Sequence, residues 1–318
     1  MPPPITILMA TYNGARYLRA QLDSILAQTI TNWQLLVSED GSTDETLEIL
    51  AEYARGPAAG RMEIVEGPRR GSTANFLHLI ARSDPTCWMA CSDQDDVWKP
   101  EKLALASTWL SAQTGPSVYA ARTTVCDENL RPLAPAPHFR GPFVLRNALI
   151  QACLPGNTTV VNCEALAILQ AGIAAADQAG IVSHDWWTYQ LLSGAGAGIL
   201  RDQAQMVLYR QHPRNVMGRN DTTKARAARV SMLFDGTFAG WLATNQTALA
   251  ANNHLLRPEN RALLTEFGEL LAMPGPQAVA RMHHLGLYRQ TRSGTLAVYA
   301  AALLGRLRMA KQSEAGFL

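Results

Sequence analysis

Three times within its first hundred residues the chain passes from a short β-prone apolar run into apolar residues at helical spacing, and few folds accommodate that rhythm. ITILMA (5–10) leads through the turn residues Asn13 and Gly14 into Leu18, Leu22, Ile25 and Leu26. WQLLVS (33–38) ends in Glu39, Asp40 and Gly41. Ser42-Thr43-Asp44-Glu45 then reads as a capping box that opens a helix carrying Leu47, Leu50 and Ala54. MEIVE (62–66) is a third strand, followed by the loop GPRRG and a helix through Phe76, Leu77 and Ile80. This alternation implies an α/β chain with a parallel, doubly wound sheet. Ligands bind such sheets beyond the carboxyl ends of the strands, so residues 11–14, 39–44 and 92–96 are expected along one edge.

Beyond about Gly115 the rhythm breaks. SVYAA (117–121), NTTVVN (157–162) and MVLYRQH (206–212) read as strands, the second followed by an alanine-rich helix, and SHDWWTYQLL (183–192) lies between them. From Thr222 onward the pattern is helical. With 28 basic and 26 acidic residues the net charge is +2, which gives no reason to expect a nucleic acid partner, so charge arguments must be local. The five cysteines form no CxxC pair, and MPPPITILMA lacks a basic leader, which points to a reduced, cytoplasmic setting. No run reaches the roughly 18 uncharged apolar residues of a spanning helix.

One stretch carries most of the chemistry. In WMACSDQDDVW (88–98) an apolar run meets Asp93, Asp95 and Asp96, and three carboxylates that close would repel one another unless a cation sat among them. A strand-terminal Asp-x-Asp suits a hard divalent ion such as Mg²⁺ or Mn²⁺, which shares its coordination sphere with substrate phosphates. Alone, the triplet is better read as a solvated acidic turn. Its place on the edge shared with TYNG and EDGSTD gives it weight.

Together ITILMATYNG, LLVSEDGSTDET, SDQDDVWKPEKL, HDWWTYQL and YRQHPRNVMG resemble the bacterial family 2 glycosyltransferases of GT-A fold, in particular the rhamnosyltransferase-like branch, from about Ile5 to Gly218. The resemblance implies a GT-A α/β fold with a mixed central sheet. It implies a catalytic domain over 1–221, with a nucleotide-binding half (1–115) and an acceptor-binding half (116–221), and a helical region over 222–318. It also implies a metal-dependent, inverting transferase that uses a UDP- or dTDP-sugar and Mn²⁺ or Mg²⁺.

The implied roles fall on residues of this chain. Thr11, Tyr12 and Asn13 would lie at the nucleobase with Glu39 or Asp40, Glu39 standing where the family usually has Asp. Asn75, Gln94 and Asp93 would line the donor, Asp96 would point toward its sugar, and Asp95 and His212 would ligate the metal. Asp185 is the expected general base, against the plainer reading of a helix cap. Trp186 and Trp187 would offer stacking faces, with Gly156 and Asn157, to a glycan or lipid-linked acceptor. His184 reads as a surface or packing histidine, Arg69 and Arg70 as a solvated loop within reach of a diphosphate, and Arg210 and Gln211 as a brace for His212.

No acidic residue stands between Glu269 and Glu314, while arginines flank LGLY and TLAVYAAALLG. Residues 281–311 therefore read either as a basic amphipathic segment on the inner membrane face or as a bundle packed on the catalytic domain or in an oligomer. Two other functions remain open from the sequence. A nucleotidyltransferase also joins an α/β sheet to carboxylate-held Mg²⁺, but TYNGARY is a poor phosphate loop. A non-catalytic nucleotide- or glycan-binding protein would have no use for Asp185.

Overall fold

Period-two alternation in the first strand decides how the sheet is covered. β1 (Ile5–Thr11) turns Ile5, Ile7 and Met9 to one face and Leu8 to the other, and all four are buried. The first three pack with Leu18, Leu22 and Ile25 of α1 (Ala15–Leu26), while Leu8 packs with Phe76 and Leu79 of α3 (Ser72–Arg82). The structure, a computed structural model, describes residues 2–213, 215 and 230–308. The end of the resemblance at Gly218, the boundary at 221–222, and residues 309–311 lie outside them.

β1, β2 (Trp33–Glu39), β3 (Met62–Glu66) and β4 (Trp88–Ser92) form a parallel block in the order β3-β2-β1-β4, with α2 (Thr46–Arg55) joining β2 to β3. β5 (Val97–Trp98) and α4 (Lys102–Ser111) follow, then β6 (Ser117–Cys126), β7 (Pro132–Pro135) and α5 (Leu145–Ala148). A 3₁₀ turn (Gly156–Thr158) precedes β8 (Thr159–Val161), α6 (Cys163–Ala179), α7 (His184–Gly194) and β9 (Gly198–Arg210). β8 inserts antiparallel between β4 and β6, and β9 and β5 continue the sheet beyond β6. The sheet is therefore mixed. Its edge carries the site because Thr11 is level with Glu39, and Met9 with Ser92.

Two local expectations are corrected. The segment 42–45 does not form a capping box: α2 starts at Thr46, and the Asp44 carboxylate accepts the Thr46 N–H at 3.1 Å. Ser42 is drawn away because its hydroxyl accepts the Asn13 N–H across the edge. On α2 the buried side chains are Thr46, Ile49, Leu50 and Tyr53, whereas Leu47 is exposed.

α8 (Thr237–Ala251), α9 (Pro258–Leu270), α10 (Gly275–His284) and α11 (Arg292–Leu303) complete the described chain. Met282, Leu285, Leu287 and Val298 join the apolar cluster that contains Leu8, Met89 and Val118. Asn147 donates to the Tyr288 carbonyl at 3.0 Å, and the Gln290 N–H donates to Gln151 Oε1 at 2.7 Å. The basic, apolar tail is thus packed on the body, with Leu296, Leu303 and Leu304 left facing out. No helix among the described residues is long and apolar enough to cross a membrane. All five cysteines are free thiols.

Candidate active site

The β1 end and the β2 loop make one wall. Thr11 is buried, its hydroxyl 3.3 Å from the Ser38 carbonyl, whereas Tyr12 is 55 % exposed. Asn13 takes a positive φ of 47°, which Asn tolerates better than most residues, and its Oδ1 accepts the Thr43 N–H at 2.8 Å. Glu39 folds onto its own turn, accepting from Gly41 N–H (3.0 Å) and Ser42 N–H (2.6 Å). Asp40 holds the next loop, accepting from Arg69 N–H (2.6 Å) and Gly71 N–H (3.1 Å). Both carboxylates are buried and engaged with backbone. Asn75 donates to the Ser38 carbonyl at 3.2 Å and leaves a buried Oδ1 without a partner. Arg69 pairs with Glu66 and Arg70 with Asp177, both at the surface.

The floor is acidic. One carboxylate oxygen from each of Asp93, Asp95 and Asp96 lies within 4.8 Å of the others. Burial, then the charges of Asp95 and Asp185, push the Asp93 carboxyl up to about 7. Asp96 is raised well above the ordinary carboxylate range by burial and by Asp93 and Asp95, against the opposing pull of Asn157 and the Arg210 N–H. Both Asp96 oxygens are taken from within the protein, by Asn157 Nδ2 at 2.5 Å and Arg210 N–H at 3.1 Å. The carboxyl expected to face the donor sugar is therefore wholly buried beneath the site. Asn157, expected at the acceptor, is likewise buried as its partner.

His212 Nε2 lies 2.8 Å from Asp95 Oδ2. Its ring stacks on Tyr17 with centroids 4.8 Å apart, and the Arg210 guanidinium covers the same tyrosine at 4.5 Å. Arg210 also donates to the carbonyls of Asp95 (2.8 Å) and Glu128 (2.5 Å), tying the end of β9 to the acidic loop. Gln211 donates its backbone N–H to the Cys126 carbonyl at 3.0 Å. Asp127 accepts from Asn129 and Arg131 N–H within its own turn. The donor set fits a hard divalent cation. It offers clustered carboxylate oxygens and one imidazole, and without positive charge burial, then the neighbouring carboxylates, hold Asp93 and Asp96 protonated above their usual range.

The opposite wall starts at α7. Asp185 lies in its first turn, and Ser183, not Asp185, occupies the N-cap position. One Asp185 oxygen accepts the Trp186 N–H at 2.7 Å; the other has no hydrogen-bond partner among the described residues. Its charge is close enough to help raise Asp93. The two tryptophans correct the expected sugar platform. Trp187 is wholly buried, and Trp186 is buried against Phe238 with its indole N–H donating to the Ala148 carbonyl at 2.7 Å. Neither presents a face to a ligand, because α7 is buried on all sides from Trp186 to Gly194. His184 is a packing residue, stacked on Phe76 at 3.9 Å. Gly156 lies against it, since a Cβ there would come 2.5 Å from His184 Nε2.

Sequence reasoning passed over Tyr17, Glu128 and Lys102. Lys102 is fully buried with its ammonium 3.5 Å from the Trp98 ring centroid, and burial pushes it down to about 7. Trp98 ends β5 and Lys102 opens α4, so helical i, i+4 spacing gave no signal for their contact. Tyr17 and Glu128 gave none, being brought to His212 and Arg210 only by the fold.

Comparison with known proteins is consistent along the chain. The model described as "Glycosyl transferase family 2" matches residues 6–171, more than half of the 318. A dTDP-rhamnosyl transferase, RfbG of Shigella flexneri, is 28% identical over 233 residues, covering 71% of this chain and 78% of RfbG. The UDP-Glc:alpha-D-GlcNAc-diphosphoundecaprenol beta-1,3-glucosyltransferase WfgD of Escherichia coli is 24% identical over 157 residues, 49% of this chain and 59% of WfgD. Among solved structures, residues 1–349 of S. aureus TarS superpose with a TM-score of 0.50 at 16% identity, covering 95% of this chain and 90% of that one. That likeness speaks to the fold, which is the GT-A type anticipated from the motifs.

Proposed function

Because the chain belongs to glycosyl transferase family 2, we propose that it is a metal-dependent, inverting transferase that moves a sugar from a UDP- or dTDP-sugar to a glycan or lipid-linked acceptor in surface polysaccharide synthesis. The observation that carries this reading is the acidic cluster with His212 at the carboxyl edge of the sheet, level with the β1 and β2 ends. L-Rhamnose is the proposed sugar, on the likeness to RfbG.

In this reading the nucleoside lies along the first wall, over the exposed Tyr12, and Asn75 supports that wall through its bond to Ser38. Asp95 and His212 hold Mn²⁺ or Mg²⁺, with Asp93 beside them, while buried Asp96 and Arg210 fix the loop from below. The chemistry supplied by the bound cation is neutralisation of the charge that develops on the leaving diphosphate. Asp185 takes the proton of the acceptor hydroxyl as its oxygen attacks the anomeric carbon. The Trp186 N–H bond keeps its carboxylate oriented while leaving one oxygen available. The outward leucines of α11, with Arg292, Arg306 and Arg308 nearby in sequence, suit contact with an anionic membrane that presents a lipid-linked acceptor.

A calorimetric screen of UDP-, dTDP- and other nucleotide sugars, with and without Mn²⁺, tests the donor reading. Metal-dependent binding of one of them, followed by its slow hydrolysis, is expected. Failure to bind any nucleotide sugar would overturn the proposal.

A further inference from the structure

Four consecutive backbone N–H groups leave β1 without a helical or ladder partner, and each is accepted by a side chain from the β2–α2 connection, the start of α2 or the loop after β4. Ser42 Oγ accepts from Asn13 (2.9 Å), Thr46 Oγ1 from Gly14 (2.9 Å) and Asp44 Oδ2 from Ala15 (3.1 Å). All three acceptors belong to the β2 side. The fourth does not: Gln94 Oε1, from the acidic loop after β4, accepts the Tyr12 N–H at 2.9 Å. The same amide returns a bond, Gln94 Nε2 donating to the Tyr12 carbonyl at 3.0 Å. Gln94 thus closes a two-bond bridge, like one rung of a strand ladder, between the turn that carries Tyr12 and the loop that carries Asp93 and Asp95.

Gly14 makes room for it. Its φ of −99° is open to any residue, so the backbone does not require glycine there. Space does: a Cβ on Gly14 would collide with Gln94 Oε1 and come within 2.6 Å of Gln94 Cδ.

We infer that Gln94 acts as a positioning residue, holding the exposed Tyr12 turn in register with the acidic loop, and that Gly14 is fitted to it. The inference rests on the donor reading above only for what the turn binds. One lone pair of Oε1 and one N–H of Nε2 are spent on Tyr12, which fixes the plane and orientation of the Gln94 amide. Its loss leaves the turn held from the β2 side alone. Two hydrogen bonds of ordinary strength correspond to roughly a ten-fold change in the population of the ordered turn.

Gln94→Met keeps the length and removes both bonds. In the full chain it is expected to speed amide exchange at Tyr12 about ten-fold and to weaken UDP or dTDP binding in Mn²⁺ by a similar factor. The loss should fall on the KM for donor more than on kcat, with Tm within a few degrees of the parent. Gly14→Ala should do the same by displacing the amide. The decisive measurement is the cycle, because Gly14→Ala in a Gln94→Ala background should add nothing to the effect of Gln94→Ala alone. Unchanged Tyr12 exchange in Gln94→Met, or effects that simply add in the double variant, would overturn the inference. If the parent binds neither nucleotide, the donor reading fails, while the exchange rates still decide the role of Gln94.

Discussion

Asp93 and Asp95 differ in what the fold asks of them, and that difference sets the behaviour expected of single substitutions. Asp95 faces His212, so Asp95→Ala removes an anchor for a cation and leaves Asp93 and Asp96 crowded. Metal-dependent donor binding should be lost, and full activity in EDTA would refute a metal role. Asp93 titrates near 7 in the metal-free fold against the usual carboxylate range when unfolded, so the native state keeps a proton the unfolded chain has released. Its contribution therefore lowers stability as pH rises from about 4 toward 7, and the penalty is constant above that. Metal competes with that proton, so Mn²⁺ should raise Tm more at pH 8 than at pH 5, a contrast that Asp93→Asn flattens. Equal Mn²⁺ shifts at both pH values would count against it. Asp185→Asn preserves shape and the bond from Trp186 but removes the proton acceptor. Turnover should fall by about 10² to 10⁴ with donor affinity nearly unchanged. A rate within a few-fold of the parent would take Asp185 out of the mechanism.

At the scale of elements, α7 shows where sequence reading succeeds and where it stops. HDWWTYQL announced a helix beginning near Asp185, and the helix is there, because its start and its aromatic density are local properties. Which way the tryptophans point is not local. Trp186 and Trp187 are turned inward by the packing of α5, α6 and α8 around α7, information held by distant segments. Trp187→Ala should accordingly cost about 3–5 kcal/mol of stability, as a large aromatic removed from a core does, without selectively raising the KM for acceptor. A variant that melts normally but binds acceptor poorly would restore the platform reading. The strand ends were legible for the same local reason, as apolar runs stopping at polar turns. The amino-terminal part of β9, GILRDQAQ, was not, since its polar residues become a strand only by pairing with β6. In the site, the carboxylates were legible by type, but Asp96 turning inward to Asn157, and Gln94 crossing to Tyr12, depend on side-chain reach between loops.

For the whole molecule the question is whether the carboxyl-terminal helices are an attachment or part of the fold. Their charge pattern suits either role, since a basic helix with an apolar stripe looks alike in sequence whether that stripe meets lipid or protein. The structure gives the stripe two sides. Met282, Leu285, Leu287 and Val298 face the common core, and Gly275 approaches Leu303 so closely that a Cβ would lie 2.7 Å from its carbonyl carbon. At about 1.5–3 kcal/mol for each buried side chain, those four represent about 6–12 kcal/mol, comparable to the whole stability of a typical domain. A chain ended after Met273 should therefore lose its cooperative melting transition rather than persist as a soluble donor hydrolase, and a sharp calorimetric peak from that truncation would show the helices to be dispensable. Membrane contact must be probed without touching the core. Leu296, Leu303 and Leu304 allow this, being 71%, 54% and 64% exposed on or just beyond α11. Changing all three to Glu should leave Tm and donor hydrolysis at parental values while reducing co-sedimentation with anionic phospholipid vesicles, since it removes the inserting groups and opposes the nearby arginines. Co-sedimentation equal to the parent would exclude that face as the membrane contact, and loss of a dimer in sedimentation velocity would assign it to a second copy of the chain instead.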